Sequence, residues 1–159
     1  MNSKLIIEPI KEKNFDDFIF LIEKLAEYEK LAPPDAGAKK RLKEHGLSKK
    51  PKYEAYVGKI DDKYVGYVIF FMTYSSILGK PTLYLEDIFV LKEYRKKGIG
   101  QKLFNFIVSK AKERNCGRVE WQVLEWNQVG IKFYEKNNAK HRSDWLNYRL
   151  TSDQFDDFL

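Results

Sequence analysis

LYLEDIFVLKEYRKKGIGQKLFNFIVSKA, Leu83 to Ala111, is the stretch whose reading decides the fold. From Thr82 to Val90 the chain is apolar except for Thr82 and two adjacent acids, Glu86 and Asp87. Apolar side chains stand on both alternating faces, Leu83, Leu85 and Phe89 against Tyr84, Ile88 and Val90. That predicts an inner strand covered on both sides. Beyond it, Ile99, Leu103, Phe106, Ile107 and Ala111 recur at helical spacing and form one continuous apolar stripe. Between strand and helix lies Arg95-Lys96-Lys97-Gly98-Ile99-Gly100. Glycines at a helix entrance let backbone N–H groups point outward together, at the positive end of the helix dipole, and that geometry suits a pyrophosphate. A dinucleotide fingerprint is not met, because Leu103 occupies the third glycine position.

Upstream, Leu5 to Ile10 reads as a short strand, and Asn14 as the cap of a helix carrying Phe15, Phe18, Ile19, Ile22, Leu25 and Ala26. Pro33-Pro34 ends that helix, and a second is expected over 38–45. Residues 53–60 and 64–74 read as two strands joined at Asp61-Asp62-Lys63. Downstream, Gly117 is expected to cap the long helix, 118–124 to form a strand and 129–137 a short helix. Residues 140–151 read as a two-stranded hairpin, and Ser152 as the cap of a last helical turn. The order β-α-α-β-β-β-α-β-α-β-β, without repeat or linker, gives a single α/β domain over 1–159 with helices on both faces of a sheet.

The composition agrees with one core: 159 residues, 43% of them hydrophobic, with 11 phenylalanines and 10 tyrosines. The longest apolar run, Tyr64 to Tyr74, is about half of what a spanning helix needs. No apolar signal region opens the chain, so a cytoplasmic protein without membrane contact is expected. One cysteine, Cys116, and two histidines give neither an internal disulfide nor a zinc cluster, so no metal is expected. The net charge is +6. Residues 39–52, KKRLKEHGLSKKPK, hold seven basic side chains and one acid. A charge run of this kind is ordinarily a solvated face, and no aromatic is interleaved to stack on bases, so nucleic acid is not the expected partner.

With its Arg-x-x-Gly-x-Gly turn behind an acid-bearing buried strand, LYLEDIFVLKEYRKKGIG resembles the GNAT superfamily of acyl-CoA-dependent N-acetyltransferases. Within it the stretch is similar to the spermidine/spermine (diamine) N1-acetyltransferase and thialysine N-acetyltransferase branch. The likeness runs over about residues 5–158, densest at 83–100 and 123–135. It implies a mixed, mostly antiparallel seven-stranded sheet in which the central strands, 82–90 and 118–124, splay to admit acetyl-CoA. It also implies a homodimer.

The resemblance distributes roles over the chain. Tyr134, in the motif EWNQVGIKFYE, is the expected general acid for the departing thiolate, and Asn127 in the same motif is expected to hold the cofactor. Ile88, Phe89 and Val90 are expected to pair with the pantetheine arm and to supply the N–H for the carbonyl. Arg95, Lys96, Lys97, Gly98, Ile99, Gly100 and Gln101 are expected to form the phosphate turn.

An acid inside an apolar strand is costly unless paired, which already marks Glu86 as a functional candidate. The resemblance makes it the base for the amine, or the anchor of a water relay. Strand alternation puts Asp87 on the opposite face from Glu86, so only one can face a given site. Tyr28, Glu29, Glu86, Asp87, Glu120, Trp121 and Gln122 are the expected substrate contacts. Ser75 and Tyr148 depart from the polyamine enzymes, which carry an acid and a tryptophan there. The basic 39–52 segment would also repel a polycation. A lysine- or thialysine-like amine suits these changes better, and both substrate types stay open. So do acetylation of protein N-termini or lysines and a non-catalytic acyl-CoA-binding module.

Overall fold

The computed structural model describes residues 4–159, and these fall into two compact units, the first ending at Gln122 and the second Val123–Leu159. The first holds one sheet of five strands in sequence order: β1 (Ile6–Pro9), β2 (Glu54–Ile60), β3 (Lys63–Ser75), β4 (Lys80–Val90) and β5 (Arg118–Glu120). The first four pair antiparallel, and β5 joins β4 in parallel. Three helices complete the unit: α1 (Phe15–Glu29), α2 (Ala36–Gly46) and α3 (Ile99–Glu113). The strand–turn–helix expected over 82–111 is therefore β4, the turn and α3.

Both faces of the sheet are covered, as the apolar character of β4 requires. On one face Phe15, Phe18, Ile19 and Leu21 of α1 pack with Val57, Tyr67, Ile69 and Phe89. On the other, the α3 stripe buries Ile99, Leu103, Phe104, Ile107 and Ala111. Leu103 lies over Gly66 of β3, where a β-carbon would come 2.6 Å from the Phe89 carbonyl oxygen and 3.3 Å from Leu103 Cδ1. The close contact is with backbone of the neighbouring strand, so relief requires β3 and β4 to separate. Gly66→Ala is accordingly expected to destabilise the protein by about 1–3 kcal/mol, read as a lower urea midpoint at unchanged slope. Arg114 pins the end of α3 to β2 through a bidentate pair with Glu54, at 2.5 and 2.7 Å.

Several expectations change at the element ends. Asn14 stands at the start of α1, but its buried side chain turns back to β1. Oδ1 accepts from Lys11 N at 2.7 Å, and Nδ2 donates to the Pro9 carbonyl and to Glu8. The left-handed residue that closes α3 is Asn115 (φ 53°) rather than Gly117, with Cys116 N bonding back to Ala111 O at 2.9 Å. This is a Schellman closure, and asparagine tolerates it. Thr151, not Ser152, caps the last helical turn, its backbone N–H donating to Gln154 Oε1 at 3.0 Å.

The larger correction concerns strand number. The sheet has five strands, not seven. The strand expected over 118–124 pairs only over Arg118–Glu120, and residues 140–151 form no strand. Trp145, Leu146, Tyr148 and Leu150 are exposed there. A strand needs a partner for its N–H and C=O groups, which apolar character cannot supply. In the second unit the regular elements are α4 (Gln128–Lys136) and a 3-10 turn over Ser152–Phe158. Among the described residues no helix is long and apolar enough to cross a membrane.

Candidate active site

The site begins with a flaw in the ladder between β3 and β4. Ile69 pairs with Asp87 and Phe70 with Leu85, which leaves Glu86 as an extra residue on β4. Such a bulge breaks the alternation of side chains and re-aims them. The bulge interrupts the plain alternation from which Glu86 and Asp87 were expected to face apart. Glu86 acts electrostatically on both Asp87 and Glu29 of α1, so the three carboxylates share one neighbourhood. Glu86 is exposed, while Asp87 and Glu29 are half-buried. Burial, then the charge of Glu86, raises the Glu29 carboxyl above its ordinary value. Asp87 is pushed up to about 7, first by burial and then by Glu86, with a smaller push from Glu29. Tyr67, buried on β3, donates to Asp87 Oδ2 at 3.1 Å and partly offsets that rise.

The turn after β4 meets α1 through Arg95. Its Nε donates to the Val90 carbonyl at 2.9 Å, and its guanidinium lies 4.7 Å from the centre of the Tyr28 ring and 5.4 Å from that of Phe89. Arg95 thus ties the expected phosphate turn to the expected amine-binding pair Tyr28-Glu29, a link the sequence did not suggest. Lys96 (φ 60°) and Gly98 (φ 76°) both take the left-handed conformation and swing the chain into α3, which begins at Ile99. No atom lies within 4 Å of where a Gly98 β-carbon would stand. Lys102 N bonds to Gly98 O at 3.1 Å, the first bond of the helix, so the N–H groups of Ile99 and Gly100 precede the helical ladder. Lys96 and Lys97 are exposed, the latter over the Tyr94 ring at 5.1 Å; Gln101 follows on the first turn of α3.

β4 and β5 pair only from Thr82–Arg118 to Tyr84–Glu120. Beyond Tyr84, β4 runs on through Ile88, Phe89 and Val90 with β3 on one side and no β5 on the other. Glu120 is held by Arg118 Nε at 3.0 Å, Trp121 sits edge-on to Phe104 with centroids 5.5 Å apart, and Gln122 is exposed. Ser75 is buried, and its hydroxyl accepts from Leu78 N in the β3–β4 turn, which accounts for a small polar residue there.

In the second unit, Asn127 caps α4, its Oδ1 accepting from Gly130 N at 3.1 Å. Tyr134 stands seven residues on, two helical turns and therefore the same face. Its carbonyl accepts from Ala139 N at 3.1 Å as left-handed Asn138 closes the helix. The ring is half-buried beside Phe133, with centroids 5.4 Å apart. Among the described residues no group of three or more His, Cys, Asp and Glu could hold a metal ion.

Comparison with known proteins bears on all of this. The family model described as "Acetyltransferase (GNAT) family" matches residues 18–139. The thialysine N-epsilon-acetyltransferase of Bos taurus is 31% identical over 144 residues, covering 86% of this chain and 84% of that protein. The L-ornithine N5-acetyltransferase of Arabidopsis thaliana is 43% identical over 96 residues, covering 60% of this chain but 42% of the plant protein, so less than half of that relative's length is matched. A solved structure of a probable acetyltransferase superposes with a TM-score of 0.79 at 23% identity, over 92% of this chain and 97% of the other, a likeness of fold.

Proposed function

Since the chain belongs to the GNAT acetyltransferase family, whose members use acetyl-CoA, we propose that it transfers acetyl from acetyl-CoA to the primary amine of a small, amino-acid-like molecule. The family model crosses the boundary between the two compact units, which supports reading both as parts of one catalytic domain. The names of the relatives, an acetyltransferase of thialysine and one of ornithine, support an ω-amine of an amino acid as the acceptor.

The observation that carries the reading is the trio of Glu86 and Asp87, on the strand that leads into the Gly98 turn, with Glu29 at the end of α1. Carboxylates whose ionised forms are disfavoured by one another gain from an incoming ammonium, so the trio selects a cation. The turn suits the phosphates of the donor: two left-handed residues, exposed lysines and the start of α3 present N–H groups and positive charge together. Arg95 holds that turn against Tyr28. The edge of β4 at Ile88, Phe89 and Val90 is read as the backbone that aligns the donor and polarises its carbonyl. Asn127 and Tyr134 take their roles from the motif in which they stand, cofactor contact and general acid.

The chain carries 29 basic residues, and at least the exposed Lys49 and Lys50 of the 39–52 segment add positive charge on the surface. Amines with one net positive charge or none are therefore expected to outcompete spermine. Product formation with thialysine, ornithine, lysine, spermidine, spermine and an N-terminal peptide tests this. The amino acids should lead in kcat/KM by at least about tenfold, the factor of a 1.4 kcal/mol preference. Spermine or peptide in the lead would refute the assignment of the acceptor.

A further inference from the structure

The sheet face that α1 covers runs on past the core beneath the helix. That core takes in Tyr67, Ile69 and Phe89. Two residues after Ile69, and so on the same face, Phe71 stacks on Tyr84 of β4 with ring centroids 5.2 Å apart. Both rings are only half-buried. Tyr84 in turn stands opposite Glu120, on the last rung at which β4 and β5 pair. Glu120 is paired with Arg118 Nε at 3.0 Å, and the same nitrogen donates to the Thr82 hydroxyl at 3.2 Å. Thr82 is fully buried, so the guanidinium is tied to the sheet. The Arg118 and Glu120 side chains nevertheless remain 42% and 43% exposed. A pair of stacked rings is thus flanked by one fixed cation and one fixed anion, both open to water.

We propose that Phe71, Tyr84 and the Arg118–Glu120 pair form a subsite for the head group of an amino-acid acceptor, with Arg118 on the α-carboxylate and Glu120 on the α-ammonium. The inference rests on the amine-acetylating reading and adds how an amino acid is told from a plain diamine. The contacts described for Arg118 use Nε, whereas four of a guanidinium's five N–H donors sit on its terminal nitrogens, in the fork that suits a carboxylate. The stacked rings offer an apolar surface for the methylene chain.

The spacing along β4 fits such a molecule. Residues two apart on a strand are separated by about 6.6 Å, the step from Tyr84 to Glu86. The ω-nitrogen of ornithine or lysine stands four or five bonds from the α-carbon, about 5–6 Å when the chain is extended. A head group at Tyr84 therefore leaves the reacting ammonium at Glu86. The two ends are contiguous, since Glu86 and Glu120 both act on the Tyr84 hydroxyl and, after burial, help to raise it above its ordinary value. A zwitterionic head group satisfies both members of the pair. The far end of a polyamine brings only positive charge, so it gains from Glu120 and is repelled by Arg118.

Three acceptors and two variants test this. Lysine carries both head-group charges, cadaverine lacks the carboxylate, and 6-aminohexanoate lacks the α-ammonium. The wild type should bind lysine best, with KM at least about tenfold below that of either analogue, the scale of one lost charge-assisted hydrogen bond. Arg118→Gln should raise KM at least about tenfold for lysine and 6-aminohexanoate but less than about threefold for cadaverine. Glu120→Gln should give the complementary pattern, raising KM for lysine and cadaverine and sparing 6-aminohexanoate. Both effects fall on KM rather than kcat, as loss of uniform binding requires. Equal KM values for the three acceptors in the wild type overturn the subsite and leave the acetyltransferase reading standing. A variant that loses all three alike shows a structural role for the ion pair and overturns the subsite too. No turnover of any acceptor by the wild type overturns both the reading and the subsite.

Discussion

Tyr134→Phe is expected to lower turnover by about two to four orders of magnitude while acetyl-CoA affinity stays within a few-fold, the signature of a lost general acid. A thiolate leaving without a proton is a poorer leaving group, and phenylalanine keeps the ring but removes the only proton the side chain can give. The backbone bonds that start and end α4 do not use the Tyr134 hydroxyl. Asn127 caps the start of α4, and the Tyr134 carbonyl closes its end by accepting from Ala139 N. A thermal melt of the variant checks that the fold is kept. Saturating-substrate turnover read together with calorimetric binding of acetyl-CoA separates catalysis from cofactor binding. Undiminished turnover would remove Tyr134 from the mechanism, and a parallel loss of binding would make it a cofactor contact.

The second large effect is expected at Gly98. This residue has φ 76° and open space around the position of a β-carbon. Gly98→Ala should then cost only the strain of a left-handed alanine, about 1 kcal/mol, and leave acetyl-CoA binding within a few-fold. Gly98→Asp adds the same strain and a negative charge where phosphates are proposed to sit. At 5 Å and an effective dielectric constant of about 20, two unit charges repel by roughly 3 kcal/mol, so affinity for acetyl-CoA should fall about 100-fold. Calorimetry on the pair tells the cases apart. Equal, small losses in both variants would place the phosphates elsewhere.

How much of this was legible in the chain depends on what kind of signal each part leaves. Strand β4, the turn and α3 were legible because periodicity reports burial directly, and Leu83, Leu85, Leu103 and Ile107 are all fully buried or nearly so. The bulge was not legible. It is one extra residue, defined by its register with Ile69 and Phe70 on another strand, and no local pattern encodes that register. Tyr67 looked like one more strand aromatic until the fold set its hydroxyl against Asp87. Arg95 was assigned to the phosphate turn from its place in the motif. That it also stacks on Tyr28 could only come from the way α1 ends beside β4. The C-terminal hairpin failed for a related reason, since alternating Tyr148 and Leu150 describe a strand's faces but not its partner.

The measurement that tests the central claim most directly is the release of free thiol from acetyl-CoA by the purified protein in the presence and absence of thialysine or ornithine. Thiol release that depends on the amine, is matched mole for mole by acetylated product and is suppressed in Tyr134→Phe is the predicted result. Acetyl-CoA that binds but releases no thiol with any primary amine would contradict the account and leave the chain an acyl-CoA-binding module.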